Sequence, residues 1–144
     1  MTTLDDYVIT TDARRFDVAA IHSYLAQSYW SPGIPRATVE RAIANSICFG
    51  VLKGSEQAGF GRVVTDRATF AYLADVFILE AHRGKGLAKA LMKVIIAHPD
   101  LQGLRRFTLA TRDAHALYKQ FGFTELSKPS SMMEIRNNNA YQAA

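Results

Sequence analysis

Leu87, Ala90, Leu91, Val94 and Ile95 stand at i, i+3, i+4, i+7 and i+8, a stripe that predicts an amphipathic helix over Lys85–Ala97. Helical spacing of Phe16, Ala19, Ala20, Ser23 and Tyr24 predicts an earlier helix reaching about Ser28, and Tyr29-Trp30-Ser31-Pro32-Gly33-Ile34-Pro35 breaks it. Val39, Ala42 and Ile43 give the inward face of a second helix, Thr38–Ser46. Strand-like runs occupy Thr2–Thr11, Ile47–Lys53, Gln57–Thr65, Ala68–Leu79 and Arg105–Ala110, with Gly54-Ser55-Glu56 joining the second and third as a hairpin. A short helix is expected over Arg112–Phe121, ended by Gly122 in a left-handed cap with Phe123 packing back on it. Two shorter strands, Phe123–Leu126 and Met132–Arg136, complete the list.

The resulting order, β-α-α-β-β-β-α-β-α-β-β, is neither a repeating βαβ series nor all-β. It predicts an α+β fold with a mixed sheet flanked by helices. Within it, Ala68–Leu79, the following helix and Arg105–Ala110 form one crossover unit. At 144 residues a single domain over 1–136 is expected, followed by a polar tail, 137–144, that frays.

Between the strand ending at Leu79 and the helix stands Arg83-Gly84-Lys85-Gly86-Leu87-Ala88. The first N–H groups of a helix have no intrahelical partner, and here no Ser, Thr, Asp or Asn is placed to cap them. Arg83 and Lys85 add positive charge beside the positive end of the helix dipole. A bound anion resolves both problems, and phosphate is the usual guest. Two familiar phosphate loops fail on spacing. No Gly-Lys-[Ser/Thr] occurs, and Gly84-Lys85-Gly86-Leu87-Ala88-Lys89 carries Lys where a dinucleotide fingerprint needs its last glycine.

Arg83, Gly86 and Ala88 do satisfy [Arg/Gln]-x-x-Gly-x-[Gly/Ala]. Together with Thr111-Arg-Asp-Ala-His-Ala-Leu-Tyr-Lys-Gln-Phe-Gly-Phe, about 30 residues on, this resembles the GNAT superfamily of acyl-CoA-dependent N-acyltransferases, from Tyr7 to Glu134. Ser28–Pro35 is also similar to a small bacterial-type subgroup. The resemblance implies transfer of acetyl from acetyl-CoA to a primary amine by direct attack in a ternary complex. It implies that main-chain N–H groups of Arg83, Gly84, Lys85, Gly86, Leu87 and Ala88 hold the coenzyme A diphosphate. The strand at Phe77, Ile78 and Leu79 would lie along the pantetheine arm and offer an N–H to the thioester oxygen. Tyr118 matches the tyrosine that protonates the departing thiolate, and Asp75 is the nearest acid able to relieve the acceptor of a proton. Ala74 stands where some subgroups carry a glutamate base, so that route is closed here. Tyr29 and Trp30 are expected to line the acceptor pocket.

Simpler roles compete with these. Tyr118 lies on the stripe Ala114, Leu117, Tyr118, Phe121 and could be a core tyrosine. A charged Asp75 within an apolar strand needs a partner, for which Arg62 and Arg67 are candidates. Lys89 and Lys93 fit a solvated helix face, and Cys48 beside Phe49 fits an inert core thiol. The histidines show no metal-ligand spacing, and no metal is expected. A non-catalytic acyl-CoA-binding sensor, or an interaction module with the same fold, is the alternative class.

Composition narrows this further. A formal net charge of +4 suits an acidic ligand, but scattered basic residues argue against nucleic acid as partner. One cysteine excludes an internal disulfide and suits a reducing cytoplasm. No apolar run approaches a membrane span of about 20 residues. A small-molecule or peptide amine is the expected partner, and a homodimer is compatible with the family.

Overall fold

The computed structural model describes residues 3–142; the Thr2 end of the first expected strand and the last two residues of the tail lie outside them. Five strands form one sheet in the order β1-β2-β3-β4-β5: β1 Val8–Thr10, β2 Ile47–Lys53, β3 Glu56–Thr65, β4 Phe70–Ile78 and β5 Arg106–Leu109. The first four pair antiparallel, and β4 pairs parallel with β5. That parallel pair is joined by the crossover helix α3, Leu87–Ile96. Helices α1, Val18–Ala26, and α2, Arg36–Ala44, precede the sheet, and α4, His115–Lys119, follows β5. The fold is the mixed α+β sheet flanked by helices that the patterning predicts.

Strand alternation sorts the core into two clusters. Phe49, Val51, Val63, Ala71 and Leu73 pack with Leu87, Leu91, Met92 and Ile95 of α3. Cys48, Phe60 and Phe77 pack with Ile21 and Leu25 of α1 and Val39 of α2. The stripe on α3 is rotated slightly from expectation: Met92 is buried while Val94 is exposed.

Element ends move for local reasons. Asp17 accepts the Ala20 N–H as N-cap, so α1 begins at Val18, two residues after Phe16. Asp66 gathers the N–H groups of Ala68, Thr69 and Phe70 on Oδ1, and Arg67 sits at φ +63°, so β4 begins at Phe70 rather than Ala68. Thr111 Oγ1 accepts the Ala114 N–H, which makes 111–114 a capping turn ahead of a shorter α4.

The two last expected strands do not form. Phe123 is half-buried against Phe107 and Tyr118, but every described residue from Thr124 to Gln142 is exposed, and Pro129 sits in a 3₁₀ turn between the two segments. With no face to bury, their alternation has nothing to act on, and β5 keeps one free edge. The tail touches the body at its end: the Tyr141 carbonyl oxygen lies 3.6 Å from where a Cβ on Gly33 would stand.

Candidate active site

The register of β3 against β4 runs Arg62↔Ala74 and then Phe60↔Phe77. Two steps on β3 thus oppose three on β4, which places a bulge in β4. Asp75 sits inside it at φ +56°, one of two non-glycine residues with positive φ among those described. Pairing of β4 with β5 stops at Leu73↔Leu109, so past the bulge the two parallel strands diverge. Between them opens a cleft of about 870 Å³, walled by Ala74–Val76, Leu109–Ala114, the end of α1 and Tyr118.

Asp75 is held from both sides. Its Oδ2 accepts Arg62 Nε at 2.8 Å and its Oδ1 accepts the Trp30 indole N–H at 2.9 Å. Arg62 also donates from Nη1 to Ser46 Oγ at 3.1 Å. The partner demanded by a charge in an apolar strand is therefore Arg62; Arg67 pairs with Asp100 instead. Each carboxylate oxygen retains a lone pair for a further donor.

The Tyr29–Trp30 loop is built to stay in place. Ser28 Oγ donates to the Leu25 carbonyl and accepts the Ser31 N–H; Gly33 N–H donates to the Ala26 carbonyl; His22 Nε2 meets the Ile34 carbonyl at 2.9 Å. Trp30 stands 5.1 Å edge-on from Tyr29 and 6.2 Å from Tyr24, whose ring stacks on buried Phe77 at 4.0 Å. Across the cleft, Arg112 places its guanidinium 3.9 Å over the Tyr29 ring and its N–H on the Tyr29 hydroxyl.

Tyr118 owes its position to the end of α4. Gly122 has φ +94°; its N–H donates to Lys119 O and that of Phe123 to Tyr118 O, the paired bonds of a Schellman cap. Only 9% of Tyr118 is exposed, yet it borders the cleft. Among the described residues no group hydrogen-bonds its hydroxyl. Burial, followed by nearby Tyr29 and Asp113, raises its pKa above the ordinary phenol value, so it is a neutral donor at pH 7.

At the other end of the diverging strand, Gly84 at φ +78° and Gly86 at φ +80° turn the chain into α3. Gly86 is the N-cap and offers no side chain. Among the described residues no N–H from Gly84 to Lys89 donates to a protein acceptor, and the first helical bond is Ala90 N–H to Gly86 O. Arg83 is different: its N–H donates to Glu80 O and its Nε to Ile78 O. The free donors thus begin at Gly84, one residue later than expected. Space in front of both glycines is open. Leu79 N–H donates to Ala58 O on β3, so by strand alternation the polar groups of Ile78 face the opposite side, where its carbonyl accepts Arg83 Nε.

Tyr29, Trp30, Asp75, Arg83 and Tyr118 therefore share one cleft. Phe77, Ile78, Leu79 and Gly84–Ala88 are not among its walls; they continue β4 into the uncapped turn. Tyr24, Tyr72 and Arg112 also line the cleft, beyond the residues that the sequence singles out. In the sequence Tyr24 marks only a helical position, and Arg112 becomes visible only once Tyr29 lies beneath it. Among the described residues no group of three or more His, Cys, Asp or Glu gathers as a metal site, and no helix is long and apolar enough to cross a membrane.

A profile of the GNAT acetyltransferase family matches residues 11–123. The chain belongs to the GNAT family. A GNAT-family protein of known structure from Xanthomonas campestris pv. campestris is 50% identical, with a TM-score of 0.92 over 95% of this chain and 97% of its own. An inferred acetyltransferase from Gibberella zeae is 32% identical, covering 92% of this chain and 88% of its own. An inferred acetyltransferase from Clostridium acetobutylicum, solved with acetyl-CoA, shares the fold at a TM-score of 0.64 and 12% identity, over 90% of this chain and 94% of its own. This GNAT chain thus has its uncapped turn, bulged strand and buried tyrosine within one matched domain.

Proposed function

We propose that this GNAT protein transfers acetyl from acetyl-CoA to a primary amine by direct attack, with both substrates bound together. The observation that supports this most is the run of unpartnered N–H groups from Gly84 to Lys89 beside a cleft holding Tyr118 and Asp75. Those donors, with the helix dipole, suit the diphosphate of coenzyme A, and the left-handed glycines let main chain approach it closely. Lys85 supplies charge at the same turn. The edge of β4 at Ile78, turned away from β3, suits the pantetheine arm and offers an N–H toward the thioester oxygen. One such donor is typically worth about 2.7–4 kcal/mol as charge develops there.

Asp75 and Trp30 form the acceptor end. The amine binds at the carboxylate of Asp75, which takes its proton directly or passes it to water. Attack on the thioester carbonyl forms the amide bond and releases the thiolate, to which Tyr118 gives its phenolic proton. No side chain in the cleft is needed as a nucleophile: Cys48 is buried, and burial pushes its thiol up to about 12, leaving it protonated.

Calorimetry with coenzyme A, followed by measurement of thiol release from acetyl-CoA across a library of amines, tests the reading. Micromolar binding with turnover on one amine class is expected. Absence of coenzyme A binding to folded protein refutes it; tight binding with no turnover on any amine points to a sensor.

A further inference from the structure

Among the described residues, two buried polar side chains are left unused by this scheme: Gln57, which bonds only main chain at Asp17 and Gly59, and His82, which bonds two other side chains. Only 6% of His82 is exposed. Its Nδ1 lies 2.8 Å from the Tyr7 hydroxyl and its Nε2 lies 3.1 Å from Glu56 Oε2. The Tyr7 ring meets the imidazole edge-on at 5.6 Å, and the Lys53 ammonium sits 5.8 Å from the Tyr7 ring centre. A neutral imidazole has one N–H and one lone pair. Tyr7 O–H donating to Nδ1 and Nε2–H donating to Glu56 use both.

Three distant pieces of chain meet at this ring. Tyr7 precedes β1, Glu56 opens β3, and His82 ends the 3₁₀ turn Glu80–His82. The next residue is Arg83, and then come the two left-handed glycines. A glycine pair has more freedom than any other two residues, so the ends of the turn decide where its N–H groups point. Downstream, Leu87 is 2% exposed and fixed in the core. Upstream, the buried post is His82, whose own N–H also donates to Leu79 O at 2.8 Å.

We propose that His82 is a positioning residue for the phosphate turn: tied to Tyr7 and Glu56, it holds the entry to Gly84–Lys89 so that their N–H groups converge before a ligand arrives. It does not touch the ligand. Ordering the turn in advance spares that cost at the moment of binding. The inference rests on the reading that this turn receives the coenzyme A diphosphate.

Calorimetry with coenzyme A and amide hydrogen exchange, on the wild-type chain and on His82→Leu, Tyr7→Phe and Glu56→Gln, test it. Tyr7→Phe keeps the ring and loses one bond, so about a threefold rise in Kd is expected, and about tenfold for His82→Leu. Glu56→Gln keeps an acceptor for Nε2–H and should bind as wild type. Exchange should quicken at Gly84–Lys89 in the two weakened variants while the interior of α3 stays protected. If Tyr7→Phe, which preserves the packing, binds coenzyme A and exchanges its turn amides like wild type, the inference is overturned while the cofactor reading stands. If the wild type itself fails to bind, the cofactor reading fails and the inference with it.

Discussion

Asp75→Asn separates the charge of the bulge residue from its shape. Asparagine tolerates the left-handed φ of +56° and still accepts the Trp30 indole N–H. What it removes is the anion facing Arg62, whose side chain is 19% exposed while that of Asp75 is 9% exposed. Breaking a sealed buried pair costs about 3–5 kcal/mol, because the remaining charge is stranded. Arg62 keeps Ser46 Oγ and some water, which brings the expected loss to about 2–3 kcal/mol. Asp75→Ala should lose about 1 kcal/mol more, since alanine also resists the left-handed backbone. In a chain of 144 residues each kcal/mol lowers Tm by about 3 °C. Urea unfolding followed by the fluorescence of Trp30, the only tryptophan, reads both stability and the site directly. Two results would refute the reasoning: Asp75→Asn within about 0.5 kcal/mol of wild type, or Asp75→Ala no less stable than Asp75→Asn.

Other outcomes follow from the same geometry. Tyr118→Phe should lower kcat by about 10²-fold with little change in the KM for acetyl-CoA, measured by thiol release; an equal loss in KM would move Tyr118 out of proton transfer. Because burial raises the Tyr118 pKa, the donor is lost only as pH climbs past the ordinary phenol value of about 10, so the wild-type alkaline limb should lie beyond it and vanish in the phenylalanine variant. Cys48, pushed up to about 12, should react with iodoacetamide about a thousandfold more slowly at pH 8 in the native chain than in urea. Asp66 is held well below the usual carboxylate range by Thr69 and the N–H groups around it. Its folded value being depressed, its stabilisation is complete above the unfolded value near pH 4 and fades as pH falls toward the folded one; the stability gap between wild type and Asp66→Asn should narrow accordingly in acid titrations. Gly86→Ala places a Cβ in open space but at φ +80°, so it should weaken coenzyme A binding by about fivefold through conformation alone.

Local chemistry made the uncapped glycine turn legible. Missing caps, paired glycines and basic residues all lie within a few positions of one another, and the structure answers with the unpartnered N–H groups from Gly84 to Lys89. The Gly122 cap was legible for the same reason. The bulge was not: an extra residue in β4 exists only relative to β3, and Asp75 meets Arg62 only once that register is set. Alternation in Met132–Arg136 likewise describes a segment suited to a strand without saying whether an edge will receive it. Arg112 lies 83 residues from Tyr29, and no pattern within either segment announces their contact.

The cleft and the glycine turn beyond it are made of different material. At the glycine turn the working atoms are amides, which no point substitution deletes except one to proline. At Tyr29, Trp30 and Asp75 they are side chains, each replaceable singly. Under the proposed function, coenzyme A recognition would follow from the path of the chain, whereas acceptor choice would rest on a few replaceable side chains. If the proposed function holds, grafting a different Ser28–Pro35 loop onto this scaffold should change which amine is accepted and leave coenzyme A binding unchanged.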